Sequence, residues 1–327
     1  GKKLEFEKEI PLFEVAKSIS NSLAKEVVVA KMNGELADLR DSIVDEAQVE
    51  FFTKESEEAL YALRHTASHV MAQAIQHLFP DVKLAIGPAI DTGFYYDIES
   101  EHKFSQEDFA AIEKEMSKII KSNFAIEKSY KSREEAIAYY KEKGQPYKVE
   151  LIEDLPEDAE ISFYQQGEYI DLCAGPHLMN TKPLKAMKLI SSSGAYWRGN
   201  EKNKMLTRVY GTAYTKKADL DAYLEHLEDI KKRDHNKLGR ELELFTTVDV
   251  IGQGLPLLMP KGVQVIQTLQ RWIEDEEEKR GYMRTKTPLM AKSDLYKISG
   301  HWDHYKEGMF VLGDEEKDKE VFALRPM

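Results

Sequence analysis

Disulfide bonds within the chain are excluded, because Cys173 is its only cysteine. A lone thiol indicates either chemistry at that position or simple burial. No apolar run approaches the roughly 18 residues that a membrane-spanning helix needs. The opening GKKLEFEKEI also lacks the apolar block of a secretory signal. These absences predict a cytoplasmic protein with no membrane partner.

The chain also lacks an excess of positive charge, with 46 lysines and arginines against 58 acidic residues and a formal net charge of −12. That sign disfavours indiscriminate binding to nucleic acid, whose affinity comes mostly from neutralised phosphates. A local basic patch is still compatible with it, and the candidates are Lys182, Lys185, Lys188, Arg198 and Lys204. No G-x-x-x-x-G-K-[ST] phosphate loop is present, which excludes a GTPase of that type.

A chain of 327 residues is longer than one core usually holds, so several domains are expected. Residues 1–55 form the first candidate. KLEFEKEI alternates like a strand, a helical pattern follows Pro11, and AQVEFFT supplies another strand. Asn33-Gly34 is a strong hairpin turn because both turn positions favour positive φ. A strand, a helix and a hairpin in so short a span predict a β-grasp fold.

Residues 56–225 are predicted to form one α+β domain. ESEEALYALRHTASHVMAQAIQHLF has the pattern of an amphipathic helix that ends near Pro80. FYYDI and ISFYQQGEYIDL are strand-like, and SQED and SREE are candidate capping boxes for two further helices.

The remaining residues predict a linker and an incomplete domain. A long charged helix begins at Lys217 and supplies a linker over residues 226–241. Residues 242–327 offer a helix from about Val263 and a strand in YMRTKTPLM. These elements are too few to bury a core, which predicts the truncated start of a larger domain.

Two histidines and a cysteine–histidine pair form the main chemical signal. His65 and His69 stand four apart on the predicted helix and share one face. Cys173 and His177 are also four apart, but Gly175-Pro176 between them forbids a regular helix and places them at a strand end and loop. The four side chains have the residue types of a zinc site. They equally suit a hydrolytic centre in which an imidazole activates water.

Three further residues carry weaker signals. Asp171 alternates with Cys173, so the two share a strand face. Taken alone, Asp171 is predicted to be a solvated or hydrogen-bonded carboxylate, Lys148 a surface charge and Tyr95 a core aromatic.

Several long segments resemble one family. RHTASHVMAQAIQHLFP, AIGPAIDTGFYYD, YKVELI, YIDLCAGPHL and GAYWRGNEKNKMLTRVYGTAY resemble the editing domain of bacterial-type threonyl-tRNA synthetases. Residues 1–55 resemble the TGS domain of that family. RWIEDEEEKRGYMRTKTPLMAKSDLYKISGHWDHYKEGMF resembles the start of its class II catalytic domain, an antiparallel-sheet fold. The resemblance covers nearly the whole chain in the family's domain order.

The resemblance implies a ligase that uses ATP to attach threonine to tRNA(Thr). Serine lacks one methyl, a difference that supplies only ~1–3 kcal/mol of discrimination, so a second site must hydrolyse seryl-tRNA(Thr). By resemblance the catalytic residues of that editing site are His65, His69, Lys148, Asp171, Cys173 and His177. Tyr95, Lys148 and Asp171 would contact the substrate, and no metal is required.

The resemblance also implies what the complete enzyme uses. ATP, Mg²⁺ and Zn²⁺ serve synthesis, with the zinc ligands beyond residue 327, and the complete catalytic domain mediates a homodimer. This chain is therefore expected to edit without aminoacylating. The alternatives are a free-standing trans-editing deacylase and a non-enzymatic RNA-binding module with a TGS domain.

Overall fold

A computed structural model describes residues 3–6, 9–252, 254–315 and 317–325 of the chain. The chain divides into two compact units, Gly1–Ile230 and Lys231–Met327. Helices mix with antiparallel sheets along the chain, which confirms the multidomain α+β class. Over these described ranges, no helix is both long enough and apolar enough to cross a membrane.

The first part of unit one contains two small sheets, ordered β3–β2–β5 and β1–β4. Asn33 and Gly34 have φ of 55° and 89°, which confirms the hairpin turn. The strand predicted over residues 3–10 is not formed at 3–6, which are irregular, and its positions 7 and 8 lie outside the described residues. The elements are β1 Ile10–Pro11, α1 Leu12–Ile19, α2 Asn21–Glu26, β2 Val27–Met32, β3 Glu35–Ala37, β4 Ser42–Ile43 and β5 Val49–Thr53.

The second part of unit one contains a sheet ordered β12–β13–β8–β6, with β7 beside β8, and a sheet ordered β11–β10–β9. Both predicted capping boxes are present, at Ser105 with Asp108 and at Ser132 with Glu135. The elements are α3 Glu57–Leu78, β6 Lys83–Leu84, β7 Ala89–Ile90, β8 Gly93–Glu99, α4 Gln106–Ser122, β9 Ile126–Tyr130, α5 Arg133–Glu142, α6 Pro146–Glu153, β10 Ser162–Gln166, β11 Tyr169–Leu172, β12 Ala186–Tyr196, a 3₁₀ turn Trp197–Gly199, and β13 Met205–Tyr214.

Helix α3 is buried on every side rather than along one stripe. It packs against α4, β8, β13 and β2, and every residue from 62 to 75 is buried. The amphipathic pattern predicted for it is therefore wrong over this span. Because buried polar groups need partners, the histidines and Thr66 on this helix must find them within the protein.

A tight loop follows the β10–β11 hairpin. Strand β11 ends at Leu172, so Cys173 and His177 lie beyond it, as the sequence predicted. Gly175 has φ of 81°, and a Cβ there would lie 2.2 Å from Tyr164 Oη. Only glycine therefore lets the loop pass this close to β10.

The predicted long connector is two helices, α7 Lys217–Lys232 and α8 His235–Glu241. Asp234 separates them and caps α8, because its side chain accepts a hydrogen bond from Lys237 N–H at 2.8 Å. A charged residue that caps a helix favours a new start over continuation.

Few side chains of the second unit are buried. Leu269 and Trp272 on its long helix are 59% and 60% exposed. The strand predicted for YMRTKTPLM is absent from residues 282–288, because the described part of this unit offers it no partner strand. Its remaining elements are β14 Phe245–Thr246, β15 Leu257–Leu258, α9 Pro260–Lys279, β16 Met290–Lys292, α10 Ser293–Ile298, α11 His301–Tyr305, a 3₁₀ turn Lys306–Gly308, β17 Val311–Leu312 and β18 Phe322–Leu324.

Candidate functional site

The loop after β11 meets helix α3 in a four-residue cluster. One donor atom from each of His65, His69, Cys173 and His177 lies within 4.8 Å of the others. Cys173 Sγ is 3.2 Å from Nε2 of both His65 and His177. The His177 ring lies 4.2 Å, between centroids, from each of the other two imidazoles. The four residues that the sequence grouped therefore do lie together.

A buried ion pair lies beside this cluster. Lys148 Nζ of α6 is 2.5 Å from Asp171 Oδ1 of β11, and their side chains are only 3% and 2% exposed. Asp171 Oδ2 accepts hydrogen bonds from Tyr96 Oη at 2.5 Å and Tyr169 Oη at 2.9 Å. His69 Nε2 lies 3.7 Å from the same oxygen, so the ion pair and the histidines adjoin.

Tyr95 stands apart from this cluster, whereas its neighbour Tyr96 belongs to the hydrogen-bond network of the ion pair. The Tyr95 ring lies against the Arg208 guanidinium at 3.9 Å, whereas Tyr96 is fully buried. Side chains alternate across strand β8, so neighbouring tyrosines face opposite sides. Phe94 and Ile98, which share the parity of Tyr96, are also fully buried. The sequence signal that could have identified Tyr96 was therefore its position on the same strand face as Phe94 and Ile98.

Thr66 determines how His177 is protonated. Its hydroxyl donates to the Ala62 carbonyl at 2.8 Å and accepts from Leu178 N–H at 3.0 Å. His177 Nδ1 lies 3.2 Å away. With the one hydroxyl proton assigned to the shorter contact, the remaining lone pair accepts from Nδ1–H of His177.

That assignment continues through the thiol. Nε2 of His177 then accepts from the S–H of Cys173, and the sulfur accepts from Nε2–H of His65. This assignment leaves Nδ1 of His65 as the ring nitrogen without a proton, while a hydrogen bond to the Pro176 carbonyl raises the pKa of the same imidazole and partly opposes its burial. That nitrogen is buried and has no hydrogen-bond partner among the residues described. The chain of hydrogen bonds therefore ends on a free nitrogen lone pair.

The cluster is electrically neutral near pH 7. Burial lowers the pKa of His65 to about 4 and that of His69 to about 3. Burial also lowers the pKa of His177 well below its ordinary value. The Cys173 thiol has its pKa raised to about 12 by the same burial. Three neutral imidazoles and a protonated thiol can accept and orient hydrogen bonds, but they supply no strong nucleophile.

The Asp171 carboxylate remains ionised although it is buried. Burial by itself would raise its pKa, but the charge of Lys148 holds the pKa below its ordinary value. The site therefore combines a neutral hydrogen-bonding cluster with one adjacent pair of opposite charges.

The donor set of the cluster would suit zinc, which binds imidazole and thiolate. A tetrahedral ion with bonds of about 2.0–2.3 Å would hold its ligand atoms roughly 3.3–3.8 Å apart. The two sulfur–nitrogen contacts are 3.2 Å, and the whole set spans up to 4.8 Å. Metal binding would require the cluster to rearrange and Cys173 to lose its proton.

The basic patch predicted from the sequence is largely neutralised. Lys188 pairs with Glu113 at 2.9 Å, Arg198 with Asp154 at 2.5 Å, and Lys204 with Glu99 at 2.7 Å. Three of the five cations therefore have an acidic partner, so this surface is less basic than the sequence suggested.

Besides Tyr96, sequence reasoning missed Tyr169, Thr66 and Asp38 among the polar neighbours of the site. Tyr169 shares the strand parity of Asp171, and Thr66 directly follows His65, so both carried a local signal. Asp38 accepts a hydrogen bond from the backbone N–H of His177 at 2.9 Å. It lies 139 positions away from His177, and no sequence pattern connects the two.

Two family models match the chain. The model described as "Threonyl and Alanyl tRNA synthetase second additional domain" matches residues 161–210, and the TGS domain model matches residues 1–53. The first match includes Asp171, Cys173 and His177. Together with the mixed helices and strands, these matches define a multidomain α+β protein with a TGS domain and a synthetase-type additional domain.

The relatives are more specific. Threonine–tRNA ligase of Clostridium botulinum (strain Eklund 17B / Type B) is 62% identical over 327 residues, which are 100% of this chain and 50% of that protein. The threonine–tRNA ligase of Caldanaerobacter subterraneus subsp. tengcongensis is 52% identical over 327 residues, which are again 100% of this chain and 50% of that protein. The chain thus spans about half the length of the curated relatives it matches. Its resemblance to the threonyl-tRNA synthetase family is confirmed.

A solved structure titled as the RNA binding domain of threonyl-tRNA synthetase from Cryptosporidium parvum Iowa II also matches. It is 35% identical, covers 29% of this chain and 23% of its own, and has a TM-score of 0.26, which is too low to bear on the fold.

Tyr96→Phe should lower the free energy of unfolding by about 1.5–3 kcal/mol, because a buried carboxylate loses a hydrogen bond. Tyr95→Phe is the matched control and should change it by less than about 0.5 kcal/mol. Urea denaturation of both variants measures this difference. Equal effects would contradict the assignment of Tyr96 to the buried network.

The free energy of unfolding should fall on acidification from about pH 7 to about pH 5. Unfolded imidazoles bind protons below about pH 6.5, whereas His65 and His69 in the folded protein bind them only near pH 4 and 3. The unfolded state therefore gains protons first, which costs up to about 1.4 kcal/mol per pH unit for each histidine. Urea denaturation at several pH values measures the slope. No change above about pH 5 would contradict burial of these imidazoles in neutral form.

Proposed function

We propose that this chain hydrolyses the ester bond of seryl-tRNA(Thr), as the editing part of a threonine–tRNA ligase. The observation that carries the proposal is the meeting of His65, His69, Cys173 and His177 beside the Lys148–Asp171 ion pair. The family match over residues 161–210 and the threonine–tRNA ligase relatives support it.

Hydrolysis of a ribose ester needs a positioned water, a proton acceptor and stabilisation of the developing oxyanion. Nδ1 of His65 lacks a protein partner but is buried, so it can accept a hydrogen bond from the attacking water once substrate binding opens the cluster. Its pKa near 4 makes it a weak base. His65 therefore positions the water, and a ribose hydroxyl helps to accept the proton.

Lys148 is the cation that stabilises negative charge on the ester oxygen. Asp171 holds it at 2.5 Å, while Tyr96 accepts a hydrogen bond from the same ammonium at 2.9 Å. Both carboxylate oxygens of Asp171 already have partners. The predicted contact between Asp171 and the seryl ammonium thus requires an exchange of these partners, and remains a prediction.

Cys173, His69 and His177 shape the pocket in this proposal and orient its polar groups. A thiol whose pKa is raised to about 12 is almost entirely protonated near neutral pH. Because the thiolate is the reactive form, attack on the ester by Cys173 is disfavoured against attack by water.

The wider proposal concerns the whole protein. ATP-dependent attachment of threonine to tRNA(Thr), with Mg²⁺ and Zn²⁺ and a homodimeric catalytic domain in the cytoplasm, belongs to the full-length ligase. Within this chain we assign residues 1–55 to the TGS domain, 56–225 to the editing domain, 226–241 to the linker and 242–327 to the start of the catalytic domain.

Incubation with seryl-tRNA(Thr) and threonyl-tRNA(Thr) should release serine selectively. His65→Ala should lower the rate by about 10²–10⁴-fold, because water positioning is lost. His226→Ala, on the exposed face of α7, is the matched control and should keep the full rate. Release of neither amino acid, or full activity of the His65 variant, would contradict the proposal.

Lys148→Ala is a poor test of the role proposed for Lys148. It would leave the Asp171 carboxylate buried without its cation, which costs about 3–5 kcal/mol of stability. Loss of activity in that variant would not separate catalysis from unfolding. Binding of seryl-tRNA without turnover by the unmodified protein would favour the RNA-binding module instead.

Cys173→Ser should retain activity within about tenfold, because serine preserves a hydrogen bond between the two imidazoles and no thiolate is needed. Single-turnover serine release with and without a chelator measures this. A loss beyond about 10³-fold would favour a thiol nucleophile or a metal ligand, and sensitivity to the chelator would distinguish the metal.

A further inference from the structure

A loop of the N-terminal domain reaches the cluster of His65, His69, Cys173 and His177. It comprises residues 38–41, between β3 and β4, and Asp38 has a side chain only 1% exposed. Asp38 Oδ2 accepts hydrogen bonds from the backbone N–H of His177 at 2.9 Å and from Tyr164 Oη at 3.1 Å. Its Oδ1 accepts from Arg40 N–H at 2.9 Å and Arg40 Nη1 at 2.7 Å. Each oxygen of the Asp38 carboxylate therefore accepts two hydrogen bonds, and the donors come from both the N-terminal and the editing domain.

Arg40 binds the backbone of the loop that carries His177, one residue beyond the contact made by Asp38. Its Nη2 donates to the Leu178 carbonyl at 2.7 Å, and its Nε donates to the Ile126 carbonyl at 2.8 Å. The guanidinium side chain is 13% exposed. Its planar fork therefore joins Asp38, strand β9 and the residue that follows His177.

These contacts fix the backbone on both sides of the His177 imidazole. That ring makes the 3.2 Å contact with Cys173, and it lies against His65 and His69. Without the loop, the backbone groups of residues 177 and 178 keep one described hydrogen bond, from Leu178 N–H to the Thr66 hydroxyl at 3.0 Å. The next anchor along the chain is Met179, whose carbonyl accepts from Ile126 N–H at 3.0 Å. A shift of this peptide would move the acceptor for the Cys173 thiol.

We infer that Asp38 and Arg40 are positioning residues for ester hydrolysis, so that the N-terminal domain completes the editing pocket. This rests on the proposed function. Neither residue touches the substrate. They hold His177, and through it the Cys173–His65 contacts that leave Nδ1 of His65 free. A displacement of about 1 Å at such a site can cost about 10²-fold in rate.

The test compares Asp38→Asn and Arg40→Lys with Lys31→Met in the full chain. Lys31 pairs with Glu58 at 2.8 Å, which also joins the N-terminal domain to α3 but lies away from the pocket loop. Asp38→Asn and Arg40→Lys should lower kcat for serine release by about 10–10²-fold with KM nearly unchanged. Lys31→Met should leave kcat unchanged, with urea denaturation confirming that each protein is folded.

Unchanged kcat in the folded variants would overturn the inference, as would an equal loss in Lys31→Met. If Asp38→Asn does not fold, Arg40→Lys decides. Failure of both to fold would reduce the loop to a structural role and also overturn it. NMR signals of the His177 imidazole should shift in Asp38→Asn while those of exposed His226 do not. That readout needs no activity, so it separates this inference from failure of the proposed function itself.

Discussion

The ion pair between Lys148 and Asp171 is the constraint around which the site is built. Removing two such charges from water costs several kcal/mol per ion unless close geometry and further hydrogen bonds offset it. Here the offset comes from the 2.5 Å contact and from the hydroxyls of Tyr96 and Tyr169. Strand β8, helix α6 and strand β11 must therefore keep their relative positions for the pair to remain stable.

The same burial gives the histidines their character. His69 lies 3.7 Å from the carboxylate of the ion pair. Desolvation nevertheless dominates and keeps the imidazoles of His65, His69 and His177 neutral. A neutral cluster can have a defined direction of hydrogen bonding, which charged imidazoles would lose because both nitrogens would donate. Thr66 sets that direction from one end. Its effect reaches His65 only because Cys173 lies between the two rings at 3.2 Å from each.

The four-residue cluster also depends on a segment far from it in sequence. Asp38 and Arg40 belong to the part of the chain that matches the TGS family model, while His177 belongs to the part that matches the second additional domain. The Asp38 and Arg40 side chains that make these hydrogen bonds are largely buried, and most of their donor and acceptor atoms have partners. Such contacts tolerate little displacement, because an unpaired buried carboxylate or guanidinium is costly. The two domains are therefore coupled at the place where the chemistry is proposed.

Local features of this protein were determined by the sequence alone. The Asn33-Gly34 turn, the two capping boxes and the non-helical loop around Gly175 each follow from the conformational preferences of a few adjacent residues. The i, i+4 spacing likewise placed His65 and His69 on one helical face. Tertiary structure decided the rest. It buried α3 on all sides and selected Tyr96 over Tyr95, and it brought Asp38 to His177. It also left residues 282–288 of the predicted YMRTKTPLM strand without a strand partner among the described residues. Local preferences act over a few residues, whereas burial and pairing depend on segments that only the packed chain brings together.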